Sequence, residues 1–344
     1  MFNYVWKFKD IDDAEKNGLK VFSCFSCGGG SSMGYKLAGF DVVGNCEIDP
    51  DINKVYVKNN HPKYNYEMDI RRFVEIDDLP EELYHLDILD GSPPCSTFSM
   101  AGSRQEAWGK EKVFREGQAA QTLDDLFFYY IKAVEKLKPK VFIAENVKGL
   151  ITGRAKGYVN EIVRRLDEVG YTVQIFLLNA ASIGVPQMRE RVFFIGHKKE
   201  LDYPKLVLAF HEKPILYGEF ADEHGIPVNP NTETYKRWRQ RHHKDRKMAD
   251  TVERVEDGKV SGYTTPYAKT NEVPYTLTTT RHLRFDRPEM ISDNDIIKIS
   301  SFPEDYDFDG NDPCYVCGMS VPPVMMANIA SEVYRQWLKE EKNV

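Results

Sequence analysis

The sequence predicts an α/β protein, a Rossmann-like and largely parallel sheet followed by a smaller, irregular lobe. Three observations carry this. Leu19 to Phe25 is a β-branched and aromatic run that passes into Ser26-Cys27-Gly28-Gly29-Gly30-Ser31-Ser32 and then a helical segment, so strand, glycine turn and helix follow one another. Asp41 to Glu47 and Val141 to Val147 are mainly apolar runs that carry an acid at or near their ends, the pattern of strands buried on both faces. Past His197 the chain is richer in Pro, Lys, Arg, His and Tyr and loses its periodicity.

The elements follow in order. Met1 to Lys20 is charged and aromatic, with no apolar core of the secretory type, and reads as a leading arm or short helix. Glu47 stands about twenty residues past the glycines, where a carboxylate bonds ribose hydroxyls. No Gly-Lys-Ser/Thr follows the turn, which excludes a phosphate-binding P-loop. Asp51 to Asn60 is a helix, and Glu67-Met68-Asp69-Ile70 offers another acidic strand end. Leu86 to Asp90 is a short buried strand running into Gly91-Ser92-Pro93-Pro94-Cys95-Ser96-Thr97-Phe98-Ser99. Two prolines fix φ and remove donors, so the chain leaves the sheet there in a stiff loop. A cysteine on such a loop sits where α/β sheets place their chemistry, although a small buried thiol is the ordinary alternative.

Ala101 to Gln121 is polar and aperiodic, long enough to suggest a substrate loop. Thr122 to Leu137 is an amphipathic helix with Leu126, Phe127, Tyr130, Ile131, Val134 and Leu137 at helical spacing, ended by Pro139. Val141 to Ala144 then delivers Glu145-Asn146-Val147, an acid too costly to bury without a purpose. Val159 to Val169 is a helix closed by Gly170, and Tyr171 to Leu178 and Arg191 to Gly196 are strands. In a hairpin between them, Gln187, Arg189 and Arg191 share one face. The division expected is a catalytic domain over 1–196, a second domain over 197–310 and a returning segment over 311–344.

Composition narrows the class. Over 344 residues the chain is 42% hydrophobic and 29% charged, as in soluble globular proteins, and no apolar run approaches a membrane span. Six cysteines are too few for a disulfide framework. The two C-x-x-C pairs, Cys24/Cys27 and Cys314/Cys317, imitate a zinc site, but Cys24 lies in a strand and Cys27 opens the glycine turn, so no metal is assigned. The reading is a reducing, cytoplasmic compartment. Net charge is −7, yet Asn231 to Lys247 carries seven Lys or Arg with Trp238 among them. A solvated helix face and a nucleic-acid surface both fit that run.

Taken together the motifs resemble the cytosine-C5 DNA methyltransferase family along nearly the whole chain. Phe25-Ser26-Cys27-Gly28-Gly29-Gly30 looks like its first cofactor motif, with Glu47 and Asp69 matching the second and third. Pro93-Pro94-Cys95 matches the nucleophile motif, Glu145-Asn146-Val147 the Glu-Asn-Val, and Gln187-x-Arg189-x-Arg191 the Gln-x-Arg-x-Arg. Gly318-Met319-Ser320-Val321 resembles the closing Gly-Asn-Ser-Val.

The resemblance implies a methyltransferase using S-adenosylmethionine on a cytosine flipped from duplex DNA, with Cys95 as nucleophile and Glu145 and Arg191 stabilising the attacked ring. Arg189 would orient this cluster. Phe25, Ser26, Gly28, Gly30, Glu47, Ile48, Asp69, Ile70, Pro94, Leu126, Ser320 and Val321 would hold the cofactor. Ser96, Ser99, Gln187, Arg237, Arg239, Arg241, Thr276 and Leu277 would meet DNA, the second domain being the target-recognition domain. A monomer, with any cognate restriction endonuclease acting separately, is implied. A tRNA cytosine-C5 methyltransferase and a catalytically silent DNA-binding homologue are the rival readings. Cys27 stands where the family has glycine, which leaves positive-φ turns to Gly28–Gly30. Met319 stands where the family has asparagine.

Overall fold

The computed structural model describes residues 2–94, 111–112, 121–122, 125–152, 156–256 and 265–339. Seven strands form the main sheet: β1 (Lys20–Cys24), β2 (Asp41–Glu47), β3 (Tyr64–Glu67), β4 (Ile88–Gly91), β5 (Val141–Val147), β6 (Tyr171–Asn179) and β7 (Glu190–Lys198). Their order is β3-β2-β1-β4-β5-β7-β6. The first five run parallel, and β7 lies antiparallel between β5 and β6. Order reverses beside β1 and β4, so their carboxyl ends open a crevice at the switch point.

Both faces are covered. On one lie α2 (Gly30–Leu37) and α11 (Pro323–Val333), sharing a core with Val21, Ile88, Ile143 and Ile195. On the other lie α4 (Ile70–Phe73), α5 (Leu126–Leu137) and α6 (Lys156–Glu168), packed on Phe22, Leu89, Phe142 and Phe194. The apolar stripe read along α5 is buried here as its spacing requires. The helix closes at Lys138, in the left-handed conformation, immediately before Pro139. α3 (Pro50–Asn60) starts at Asp49, whose carboxylate accepts from the backbone N–H of Asp51 and Ile52.

Asp69 is not a strand end. Strand β3 stops at Glu67, and Asp69 caps α4 by accepting from Arg71 N at 2.8 Å. Nor do Gln187 and Arg189 lie in a strand, since a single-turn helix over Ala180–Ile183 follows β6 and β7 begins only at Glu190.

A four-stranded sheet of two-residue strands forms the smaller lobe: β8 (Ile226–Pro227), β9 (Tyr267–Ala268), β10 (Leu283–Arg284) and β11 (Glu289–Met290), ordered β8-β11-β10-β9. With α7 (Glu233–Arg239) and α8 (Met248–Val255) it encloses a small core of Met248, Tyr267 and Leu283. Leu206, Tyr217, Phe220, Leu277 and Ile291 pack instead into the core beneath α2 and α11. α9 (Asp293–Ile299), α10 (Pro313–Met319) and α11 bring the chain back beside the leading helix α1 (Phe8–Asp12) and α2.

The α2–α11 contact depends on Gly34, where an added Cβ would stand 2.5 Å from Pro323 O and 2.7 Å from Met326 Cβ. Gly34→Ala is therefore expected to destabilise the fold by about 1–3 kcal/mol, from overpacking. A urea unfolding midpoint lowered at constant slope is the expected result, and an unchanged midpoint would contradict the packing described.

Candidate active site

The site is built at the carboxyl ends of β1, β2, β4 and β5. After β1 the backbone turns sharply: Phe25 has φ 55°, Cys27 φ 45° and Gly29 φ 82°. Of the three glycines only Gly29 takes a positive φ, so Cys27 itself bears the left-handed conformation, contrary to the sequence expectation. That costs a non-glycine residue about 1–2 kcal/mol. The turn is tied down by Glu47, whose Oε2 accepts from Cys27 N at 2.8 Å and whose Oε1 accepts from Ile48 N at 2.9 Å and Asp49 N at 3.0 Å. Burial still raises the Glu47 carboxyl above its usual range, with these N–H bonds opposing.

An open cleft of about 900 Å³, solvent at its mouth included, lies over the ends of β1, β2 and β4. Phe25, Glu47, Ile48, Asp69, Ile70, Pro94 and Leu126 line it, as the resemblance implies. Cys27, Ser92, Tyr315 and Met319 line it as well. Tyr315 and Met319 stand four apart on α10, a spacing that puts them on one helix face.

Ser26, Gly28, Gly30, Ser320 and Val321 do not line the cleft. Ser26 Oγ accepts from Asn45 Nδ2 in the interior. An added Cβ on Gly28 would meet Val316, and one on Gly30 would stand 2.0 Å from Val321 O. The closing segment leaves no room for a side chain at either glycine. Ser320 Oγ is spent on Val316 O at 2.8 Å.

Cys95, Ser96 and Ser99 lie outside the described residues, as does most of the 101–121 stretch. What leads to them is fixed. Asn146 Nδ2 donates to Pro93 O at 3.0 Å, pinning the proline turn to the end of β5. On the same strand Glu145 is 8% exposed and pairs with Arg191, Arg191 Nε lying 2.8 Å from Glu145 Oε1. Antiparallel register sets Arg191 opposite Val147, so Glu145 and Arg191 project from one face.

Arg189 and Gln187 work elsewhere. Arg189 Nη1 donates to Leu277 O and Gly318 O, both at 3.1 Å, pinning three segments together. Burial, with the like charge of Arg191, pushes its guanidinium down to about 9. Gln187 is 1% exposed; its Nε2 donates to Ile299 O and its Oε1 accepts from Leu277 N, both at 3.0 Å. Leu277 is buried and Thr276 Oγ1 donates to Met188 O at 2.7 Å. Gln187 and Leu277 thus lie in an interior seam, and Thr276 is half-buried beside it.

In the basic run, Arg241 lies 3.6 Å over the Trp238 ring and bonds Trp238 O and Phe285 O. Arg237 pairs with Glu256 at 3.3 Å. Both are half-buried and tied to their own lobe by these contacts. Arg239 is exposed, together with Lys236, Lys244, Arg246 and Lys247.

Sequence reading also passed over Asp90. It is 1% exposed in β4 and accepts from Ser23 Oγ at 2.7 Å and Tyr35 OH at 3.2 Å.

A seven-stranded sheet of this order, with acids arrayed around a cleft over its parallel strands, defines a Rossmann-like methyltransferase fold. The chain belongs to the C-5 cytosine-specific DNA methylase family, which matches residues 19–335. Type II methyltransferase M.FnuDI of Fusobacterium nucleatum is 38% identical over 187 residues, 54% of this chain and 48% of that protein. Type II methyltransferase M1.HphI of Haemophilus parahaemolyticus is 27% identical over 338 residues, 92% of this chain and 87% of that protein. The match thus spans about half the length of M.FnuDI and most of M1.HphI. A crystal structure of a prophage-encoded E. coli protein, described as a DNA modification methyltransferase, superposes with a TM-score of 0.65 at 20% identity, over 93% of this chain and 99% of that one. That likeness concerns the fold. No helix among the described residues is long and apolar enough to cross a membrane.

Asp90 gives a pH prediction. Burial first, and the charge of Glu145 second, push its carboxyl up to about 7 from 3.8. The folded state therefore holds this proton where the unfolded chain has released it. Stability is unaffected below about pH 4 and falls as pH rises toward 7, by about 4 kcal/mol in all. Unfolding measured from pH 4 to 8 is expected to show that fall in the native protein and its loss in Asp90→Asn. Parallel curves for the two would contradict it.

Proposed function

We propose that this protein is a DNA (cytosine-5-)-methyltransferase that methylates a flipped cytosine through a covalent adduct with Cys95. The observation that carries this is the Glu145–Arg191 pair at the end of the sheet, beside a proline turn that Asn146 pins and Cys95 follows.

The cleft fits S-adenosylmethionine. Phe25, Ile48, Ile70, Pro94 and Leu126 give it apolar walls, with Glu47 and Asp69 as its polar groups. Glu47, its oxygens already oriented by three N–H groups, has lone pairs left to accept ribose hydroxyls, and Asp69 stands further along to accept the adenine amino group. When bound, S-adenosylmethionine supplies an electrophilic methyl group on a sulfonium.

The chain's residues then divide the work. The Cys95 thiolate adds to C6, which makes C5 a nucleophilic enamine carbon. Charge builds toward N3 and O2; a proton held between Glu145 and N3 stabilises the first and Arg191 the second. After methyl transfer a base removes the C5 proton and Cys95 leaves as thiolate. Arg189 positions this strand end from behind without touching the ring.

The exposed cations Lys236, Arg239, Lys244, Arg246 and Lys247 form the phosphate-meeting face of a target-recognition lobe within 197–310. The relatives are named type II methyltransferases, with an orphan methyltransferase of Bacillus phage SPR among them, which supports a modification role in bacterial or phage DNA. The protein then acts in the cytoplasm as a monomer, any cognate endonuclease acting separately. Those names favour duplex DNA over tRNA.

Duplex oligonucleotides carrying 5-fluorocytosine, incubated with S-adenosylmethionine, are expected to form a denaturant-stable adduct with the native protein and none with Cys95→Ser. Glu145→Gln is expected to slow methylation by about 10²–10³ while the fold is kept. Labelling of tRNA and not of duplex DNA would overturn the substrate; absence of an adduct would overturn the nucleophile.

A further inference from the structure

Asp90 is a buried carboxylate that the proposed chemistry does not use. Its partners are neutral hydroxyls: Ser23 Oγ at 2.7 Å from β1, Tyr35 OH at 3.2 Å from α2, and Ser31 in the first turn of α2. Each hydroxyl can donate to the ionised carboxylate and can equally accept from its protonated form, so the pocket admits both states, and among these partners there is no cation to neutralise the charge.

Its position gives that charge an audience. In register Asp90 pairs with Ser23 and with Ile143, so it shares a sheet face with Glu145, two residues further along β5. Ser92, which lines the cleft, stands two residues beyond Asp90, roughly 7 Å along the chain direction. The space between is protein interior, where a charge is felt far more than across water.

We propose that Asp90 is a buried counter-charge that makes the cleft prefer a cationic occupant, so that the methyl donor is held more tightly than its demethylated, uncharged-sulfur product. The inference rests on the cofactor reading above. It gives the fold a physical means of discharging product: methyl transfer removes the positive charge that Asp90 attracts. Reciprocally, a cation in the cleft favours ionised Asp90, so donor binding releases a proton where product binding does not.

The other titratable groups close enough to interact with Asp90 are Tyr35 of α2, Tyr56 of α3 and Glu145 of β5, with Cys24 of β1 and Tyr130 of α5 on the opposite face of the sheet. Burial pushes the thiol and the three phenols upward, so they stay neutral through pH 8. Glu145 is the remaining charge in the set, and it is paired with Arg191.

Calorimetric titration of the full chain tests this, using S-adenosylmethionine, the cationic amine analogue sinefungin and the neutral-sulfur S-adenosylhomocysteine at about pH 5.5 and about pH 7.5. In the native protein the preference for each cationic ligand over S-adenosylhomocysteine is expected to grow at least threefold with pH. In Asp90→Asn it is expected to stay flat; each ligand's own titration is common to both proteins and cancels between them. Tyr35→Phe, which withdraws one donor from the carboxylate, is expected to move the rise to higher pH and serves if Asp90→Asn fails to fold. Binding of all three ligands with the same pH dependence in native and variant proteins would overturn the role of Asp90 and leave the cofactor reading standing. No binding of any would overturn both.

Discussion

A carboxylate at the inner end of a parallel strand has to be given donors, and that requirement shapes this molecule. β2 ends in Glu47, β4 holds Asp90 and β5 holds Glu145. Glu47 is satisfied by backbone N–H groups, Asp90 is met by hydroxyls and Glu145 by the charge of a guanidinium. Each solution produces a different chemistry. Backbone donors come from the turns they fix, so satisfying Glu47 also holds Cys27 left-handed and gives the cleft its wall. Hydroxyls bring Asp90 no opposing charge, so burial lifts its carboxyl to about 7. Arg191 offsets the Glu145 charge in a largely buried pair at the end of the sheet, outside the lining of the cleft.

A second constraint is the seam around residues 187–189. Gln187 and Arg189 bind the main chain of Leu277, Ile299 and Gly318, and Met188 bonds Pro274 O at 2.8 Å. Gly318 is pressed so close that an added Cβ would stand 2.2 Å from Thr278 O. The Gln-x-Arg-x-Arg pattern therefore unites two tasks along five residues. Its first two members weld the second half of the chain to the sheet, and its last meets Glu145. The end of the smaller lobe is thus anchored within a few residues of the reacting groups.

Much of this was legible in the sequence because it depends on local rules. Apolar runs ending in acids gave β2 and β5, helical spacing gave α5, and Glu47, Asp69, Pro94 and Leu126 do border one cleft. What escaped depends on long-range contacts. The resemblance assigns Gly28 and Gly30 to the cofactor, while the contacts that demand glycine there come from Val316 and Val321, almost 300 residues away. The arginines of the 231–247 run look alike on paper; stacking on Trp238 and pairing with Glu256 turn two of them inward. Asp90 carried no periodic signal, and its meaning comes from Ser23 and Tyr35 on neighbouring elements.

The account stands on the claim that these strand ends hold a cytosine against Cys95 and deliver a methyl group to it. Bisulfite sequencing of DNA from cells expressing the native protein or Cys95→Ser tests it most directly. Conversion-resistant cytosines confined to one sequence context, present with the native protein and absent with the variant, are predicted. DNA fully converted in both, with the native protein folded and abundant, would contradict it.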